Sequence, residues 1–364
     1  MKIDITINNQ DYKSVIIRND GELKKLIESK PFINIIDAFS RQIKELFFID
    51  NNKFIGEDKE KTYNSDEFKQ YAKKKKNDYG YFLFPWNCHV VKCINEEDYF
   101  TLKTNRNQDL ITAEEQKKLR DFNVAVFGMS VGSNIAFVLT QAGISKKIMI
   151  ADNDELDTTN LNRIFAGVHQ IGLNKTIVAS RKIYEDNPHA NVKIYPEGIS
   201  NNNLNMLLKN KEIDCIIEEI DDIKMKIETR KLALEYKIPV VMITDNGDGV
   251  ILHVERYDLG HDKIFDEEPS YWNKRIEGKM TKELAGDIII NNIVGGPQNV
   301  DSYMLASAQR VFKRELVSWS QLGSAALLGG VVATVAIKRI ALGTSKQLSV
   351  REFISPDFTR ARPW

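Results

Sequence analysis

The chain has 364 residues, and its 51 lysines and arginines balance 51 aspartates and glutamates, which argues against a nucleic-acid or anionic-membrane partner drawn by net charge. Three cysteines, sparse and odd in number, exclude a disulfide-built secreted scaffold. The opening MKIDITINNQ lacks the apolar core of a signal peptide, so a cytoplasmic enzyme is the expectation.

Residues 1–100 mix short alternating runs (KIDITI, KSVIIR, ELFFID, GYFLFPW) with helical stretches, the mark of a small α+β module. Its polar run from Glu57 to Asp78, with Lys73 to Lys76, reads as solvated surface. Cys88, His89 and Cys93 in CHVVKC lack the spacing and the second ligand pair of a zinc site, so they read as strand residues. From 101 to about 256 apolar strands are expected near 124–127, 147–152, 192–195, 213–217, 238–243 and 249–257. They alternate with helices at first and end in the hairpin-like NGDGVILHVERY, which predicts an α/β core on a parallel sheet. Cys215 falls inside one of those strands, where a thiol is inert. The polar, aromatic-dotted segment 258–290 reads as a mobile lid or a substrate-specific insertion. Leu322 to Ile337 is apolar until Lys338 and Arg339; it is short for a bilayer span and rich in Gly and Ala, so a buried helix packed on another helix is expected. The tail REFISPDFTRARPW could add an edge strand.

Within the core, VAVFGMSVGSNIAFVLTQAGISKKIMIADNDELDTTNLNR concentrates the chemistry. Val124 to Phe127 suit a buried strand, and Gly128, Ser130 and Gly132 follow where the backbone must turn sharply and admit phosphate. A helix from Ser133 to Ala142 then points its amide end at the anion, and Asp152 is placed to accept hydrogen bonds from a ribose. GMSVGS lacks the full G-x-G-x-x-G spacing, but a plain NAD-binding unit would not require Asp154, Asn160, Asn162 and Arg163 directly after the second strand.

That segment resembles the ThiF family of adenylyltransferases, whose fold is shared by ubiquitin-activating enzymes and molybdopterin-synthase adenylyltransferase; the likeness runs over roughly residues 104–256. It implies a Rossmann-like doubly wound α/β sheet in an adenylation domain spanning 101–364, with the 1–100 module before it and a helical segment toward the end. It also implies an ATP pocket built from Gly128, Ser130, Gly132, Asp152, Asp154, Asn160 and Arg163, with Lys175 from IGLNKTIVASRKI and Asp221 from DCIIEEIDD holding Mg²⁺. Arg106, in TNRNQDLITAEEQKKL, matches the arginine that reaches a neighbouring active site in a homodimer. Two departures stand out: the glycine turn is one residue shorter than usual, and Cys88, Cys93 and Cys215 provide neither a four-cysteine zinc site nor a thioester cysteine in the later half.

Joining a carboxylate to the α-phosphorus of ATP brings two anions together, so such a site needs fixed cations and a metal. Arg163, Lys175 and Arg106 would supply the charge; the nucleophile is already ionised, so no general base is required, in keeping with the absence of histidine from the cluster. The expected substrate is the C-terminal carboxylate of a small ubiquitin-like protein or peptide, passed on as acyl-adenylate without a thioester on this chain. Other readings stay open. They are a threonylcarbamoyladenosine dehydratase acting on tRNA, weakened by the neutral charge; a nucleotide-binding scaffold without turnover; and an NAD- or FAD-dependent oxidoreductase, which Asp152 allows but Arg163, Lys175 and Asp221 do not explain. Plainer roles exist for single residues as well: Lys175 on a solvated helix face with Arg181 and Lys182, Asn160 as a helix cap, and Asp221 in an acidic loop where Glu218, Glu219 or Asp222 could be the ligand.

Overall fold

Two patterns of apolar residues build two separate sheets in the computed structural model, which describes residues 11–356. They belong to two units, Met1–Gln116 with Tyr184–His189, and Lys117–Ile183 with Ala190–Trp364.

In the first unit a four-stranded sheet is formed by β1 (Val15–Ile17), β2 (Asn34–Asp37), β3 (Tyr79–Phe84) and β4 (His89–Ile94), in the order β1-β3-β4-β2. The β3–β4 hairpin is antiparallel, whereas β2 joins β4 in parallel. Ile17, Leu23, Leu26, Leu83 and Val90 close one core, while Phe47 packs edge-on against Phe68 and Tyr71 in another. Lys73, Lys74 and Lys76 are exposed, as their run predicts, but Lys75 turns to Asp98 at 2.5 Å. Cys88 lies in the hairpin turn and Cys93 is buried in β4.

The second unit holds a seven-stranded sheet: β5 (Val124–Phe127), β6 (Lys147–Ala151), β7 (Asn191–Tyr195), β8 (Cys215–Glu218), β9 (Val240–Asn246), β10 (Gly249–Glu255) and β11 (Ser349–Ile354). Their order is β11-β10-β9-β8-β5-β6-β7. Strands β5 to β9 are parallel, and β5 and β8 are buried along their whole length, which is why they read as unbroken apolar runs. From β5 the chain winds outward through β6 to β7 and then returns to begin β8 on the opposite side of β5. This is the Rossmann-like, doubly wound α/β arrangement, with its reversal point between β5 and β8. The hairpin to β10 turns through Gly247 at φ +65°, and β11 adds the antiparallel edge strand anticipated from the tail. Residues 357–364 of that tail lie outside the described part.

The apolar stretch near the end becomes the helix Gly323–Leu342, long and apolar enough to cross a bilayer by length and composition. Here it packs against the helix Val131–Gln141 and against β9. A Cβ on Gly330 would lie 3.2 Å from the Asn134 carbonyl oxygen, and one on Gly329 2.9 Å from Ile243 Cγ2. Small residues therefore permit the close approach, as expected of a buried helix. Segment 258–290 carries a buried face of its own. Trp272 is fully buried, donates to the Ile264 carbonyl at 2.8 Å, and packs with Phe265, Ile223, Ile227 and Met242.

Behind the sheet edge of the site runs a buried chain of charges. Lys226 Nζ meets Glu218 at 2.9 and 3.0 Å, Arg230 bonds the same carboxylate, and its Nε donates to Glu255 at 2.6 Å. Glu255 also accepts the Phe265 amide at 3.0 Å, and the Arg230 guanidinium lies 4.0 Å from the Phe265 ring centroid. Helix Ile223–Tyr236, strands β8 and β10 and the Phe265 turn are thereby locked to one another.

Candidate active site

Gly128 ends β5 at φ +92°, a left-handed conformation that only glycine adopts without strain, and a Cβ there would stand 2.3 Å from the Glu219 carbonyl oxygen. The turn after β5 and the exit of β8 thus pass in direct backbone contact, with Glu219 N donating to Phe127 O at 2.7 Å and Gly128 N to Ala151 O at 2.8 Å. Gly132 serves a second need, since a Cβ there would press on Val126 Cγ1 at 3.0 Å where the helix Val131–Gln141 lies on its strand. Above this junction opens a cleft of about 820 Å³ at the carboxyl ends of β5, β6 and β8, lined among others by Gly128, Ser130, Asp152, Asp154, Lys175 and Asp221.

Asp152 closes the glycine turn. One carboxylate oxygen accepts the Met129 amide at 2.5 Å and the other the Asp154 amide at 2.8 Å. Burial pushes its carboxyl above the ordinary value, held back by those two amides and by the Lys175 charge. Lys175 begins the helix Lys175–Asp186; its side chain is 9% exposed and its Nζ lies 2.7 Å from Asp154, so it is not on a solvated face. Asn174, which the sequence did not single out, sets this start in place. Its amide donates to Asp152 O and Pro196 O, and its Oδ1 accepts the Thr176 amide.

Arg163 approaches the turn from the other side. Its Nε donates to Ser130 Oγ at 3.0 Å, and NH1 reaches Thr159 O and Asn162 Oδ1. Ser130 receives this bond as acceptor, which leaves its own hydroxyl proton for a ligand. Burial lowers the Arg163 pKa, while Asp245 and Asp221 pull it back up. Asn160 is buried off the cleft wall: its Oδ1 accepts the Asp157 amide at 2.9 Å and caps the turn Thr158–Asn160. Arg106 sits exposed in the turn Asn105–Asn107 of the first unit.

The acidic run after β8 separates by duty. Glu218 belongs to the buried ion network, where Lys226 and Arg230 overcome the effect of burial and hold its carboxyl below the ordinary value. Glu219 is half-buried, accepts the Ile243 amide at 2.7 Å, and is pushed well up by desolvation despite Lys226. Asp222 caps the helix Ile223–Tyr236 by accepting the Met225 amide at 2.8 Å. Asp221 alone of the four is given no such duty and stands exposed on the cleft wall.

A ThiF family model matches residues 102–351. The chain belongs to the ThiF family. The chain is 32% identical over 266 residues to an uncharacterized protein of Mycobacterium tuberculosis (strain CDC 1551 / Oshkosh), covering 71% of this chain and 36% of that protein. It is 36% identical over 111 residues to ubiquitin-like modifier-activating enzyme 5 of Xenopus laevis, covering 30% of this chain and 27% of that one. The matched segment thus spans about a third of the length of these relatives. Among solved structures, the tRNA N6-threonylcarbamoyladenosine dehydratase of E. coli in complex with AMP superposes with a TM-score of 0.50 at 18% identity, covering 69% of this chain and 98% of that one, a likeness of fold.

One buried acid of the second unit went unremarked in the sequence. Asp245, near the end of β9, is 8% exposed, and both of its carboxylate oxygens are buried with the Gln321 side chain beside them. Burial raises its pKa from 3.8 to about 6, against the pull of Arg163. The folded state therefore binds this proton more tightly than the unfolded chain, so the stability it contributes is complete below pH 3.8 and is lost as pH rises through about 6. Asp245→Asn should gain on the unmodified chain by roughly 2.5 kcal/mol between pH 4 and pH 8. Urea unfolding at the two pH values measures this, and a difference independent of pH would refute it.

Proposed function

We propose that the chain is an ATP- and Mg²⁺-dependent adenylyltransferase that activates a carboxylate, the C-terminus of a small ubiquitin-like protein or peptide, as its acyl-adenylate. The observation that carries this reading is the convergence of the Gly128 turn, Asp152, Lys175 and Asp221 on one cleft at the reversal point of a ThiF-family sheet. The turn and the start of the helix Val131–Gln141 offer amides to phosphate, and the Ser130 hydroxyl adds a donor. A substrate carboxylate oxygen would attack the α-phosphorus while the bond to pyrophosphate breaks, and Arg163 and Lys175 would hold the charge that gathers there.

Asp221 suits Mg²⁺, which takes one or two carboxylates beside phosphate oxygens and water; among the described residues no three acids or histidines converge as a complete protein cage. When bound, the metal neutralises phosphate charge. Transfer without a thioester on this chain is supported by two of its three thiols: Cys93 and Cys215 are buried, and burial pushes both up, away from the thiolate state. The name of the Xenopus laevis relative supports a small protein as substrate. We assign adenylation to residues 101–364, leaving 1–100 as a module of separate role.

A homodimer completes the proposal, with Arg106 serving the partner's site. Leu327, Val331 and Val335, 41%, 52% and 37% exposed, form an apolar stripe at four-residue spacing on the helix Gly323–Leu342. Val331→Asp should therefore convert a sedimenting dimer to monomer; a chain that is monomeric beforehand would end the dimer proposal.

The nucleotide reading is tested by melting. ATP should raise the melting temperature, Mg²⁺ should raise it further, and NAD or FAD should leave it unchanged. Asp221→Asn should keep the ATP response and lose the added effect of Mg²⁺. Stabilisation by NAD equal to that by ATP would favour the oxidoreductase reading.

A further inference from the structure

His253 stands on β10 opposite Met242 of β9 and Arg351 of β11. It is 4% exposed, and its Nε2 is buried with no hydrogen-bond partner among the described residues. The proposed adenylation gives it no part. An imidazolium would need an acceptor for each of its two N–H groups, so a ring enclosed in this way is held neutral. Its neighbours enforce this. Burial, then the charges of Arg351 on β11 and of Arg230 and Lys226 on the helix Ile223–Tyr236, push its pKa well below the ordinary value. The acids around it are committed elsewhere: Glu218 to Lys226 and Arg230, Glu255 to Arg230 and the Phe265 amide, and Asp266 to Arg351 at 2.8 Å.

Over this ring lies the turn Ile264–Glu267, closed by two backbone bonds of 2.9 and 3.0 Å, with the Phe265 ring edge-on and 5.9 Å from the imidazole. Phe265 and Asp266 both take left-handed backbone, at φ +47° and +68°, which is unfavourable for residues carrying a Cβ. Such a turn persists only where its surroundings hold it. Here charge does so, through Glu255 on the Phe265 amide, Arg230 against the Phe265 ring and Arg351 on Asp266. The same segment is tethered again at Gly278, whose carbonyl accepts a bond from Lys224 on the wall of the nucleotide cleft.

We propose that His253 is an acid-operated latch: protonation adds a fourth cation to Arg351, Arg230 and Lys226 and releases the turn Ile264–Glu267 from the sheet, opening the segment to which it belongs. The latch does not depend on the nucleotide reading. An imidazole freed by opening takes its proton near pH 6.5 and the enclosed one far below that, so the open form gains about tenfold for each unit of pH below about 6.5 and little above it. Asp245 responds with the opposite sign, since folding tightens its hold on a proton.

The test is amide hydrogen exchange of the full chain at pH 7.5 and pH 5, with rates corrected for the intrinsic pH dependence of exchange. Protection at residues 264–268 should fall about thirtyfold between the two, while β5 and β8 keep theirs. His253→Phe retains a ring without the titration and should show no such fall; His253→Gln does the same should the phenyl ring not be accommodated. Full protection of the turn at pH 5 in the original chain, or a loss shared equally by β5 and β8, would overturn the proposal. So would an undiminished fall in either folded variant, which would move the titration to another group such as His261, stacked on Tyr257.

Discussion

At Gly128 two segments of backbone pass so closely that a single methyl group would strike the Glu219 carbonyl at 2.3 Å. This contact joins the first strand of the nucleotide unit to the strand that begins its second half, and the cleft is the space left above the junction. Glu219 and Phe127 share a backbone hydrogen bond there, and Asp152 fastens the turn by accepting the Met129 amide. Each side chain on the cleft wall takes its position from that joint. Lys175 is delivered by Asn174, which is tied to Asp152, and Asp221 follows two residues after Glu219.

Charge in the second unit falls into two kinds. Glu218, Lys226, Arg230 and Glu255 are buried and fully committed to one another, a network whose value lies in fixing helix Ile223–Tyr236 on the sheet more than in net energy, because desolvation offsets much of the attraction. Asp245 is buried outside that network, and burial raises its pKa. Arg163 lies in the field of both Asp221 and Asp245.

Much of this was legible in the chain because it is local. The unbroken apolar runs of β5 and β8, the glycine after β5 and the acid after β6 announce themselves within a few residues, and so the doubly wound sheet and its nucleotide edge could be read off in order. Features that depend on distant partners could not. Lys175 lies on a polar-looking helix start, yet its side chain is buried and paired with Asp154. Asn160 matched a pocket position yet turns inward as a cap, a role its residue type allowed equally well. Within the acidic run after β8, composition gives no ranking; the network behind Glu218, the Ile243 amide on Glu219 and the cap at Asp222 separate the four. Segment 258–290 read as polar with scattered aromatics, whose wide spacing hid the face they bury.

The central claim is that nucleotide binds above the β5–β8 junction, and amide hydrogen exchange tests it most directly. With ATP and Mg²⁺ present, exchange should slow at residues 128–133, 152–154 and 219–222, with NAD leaving the same amides unchanged. Protection by ATP confined to residues 245–248 and 301–304, or to the first unit, would contradict the account.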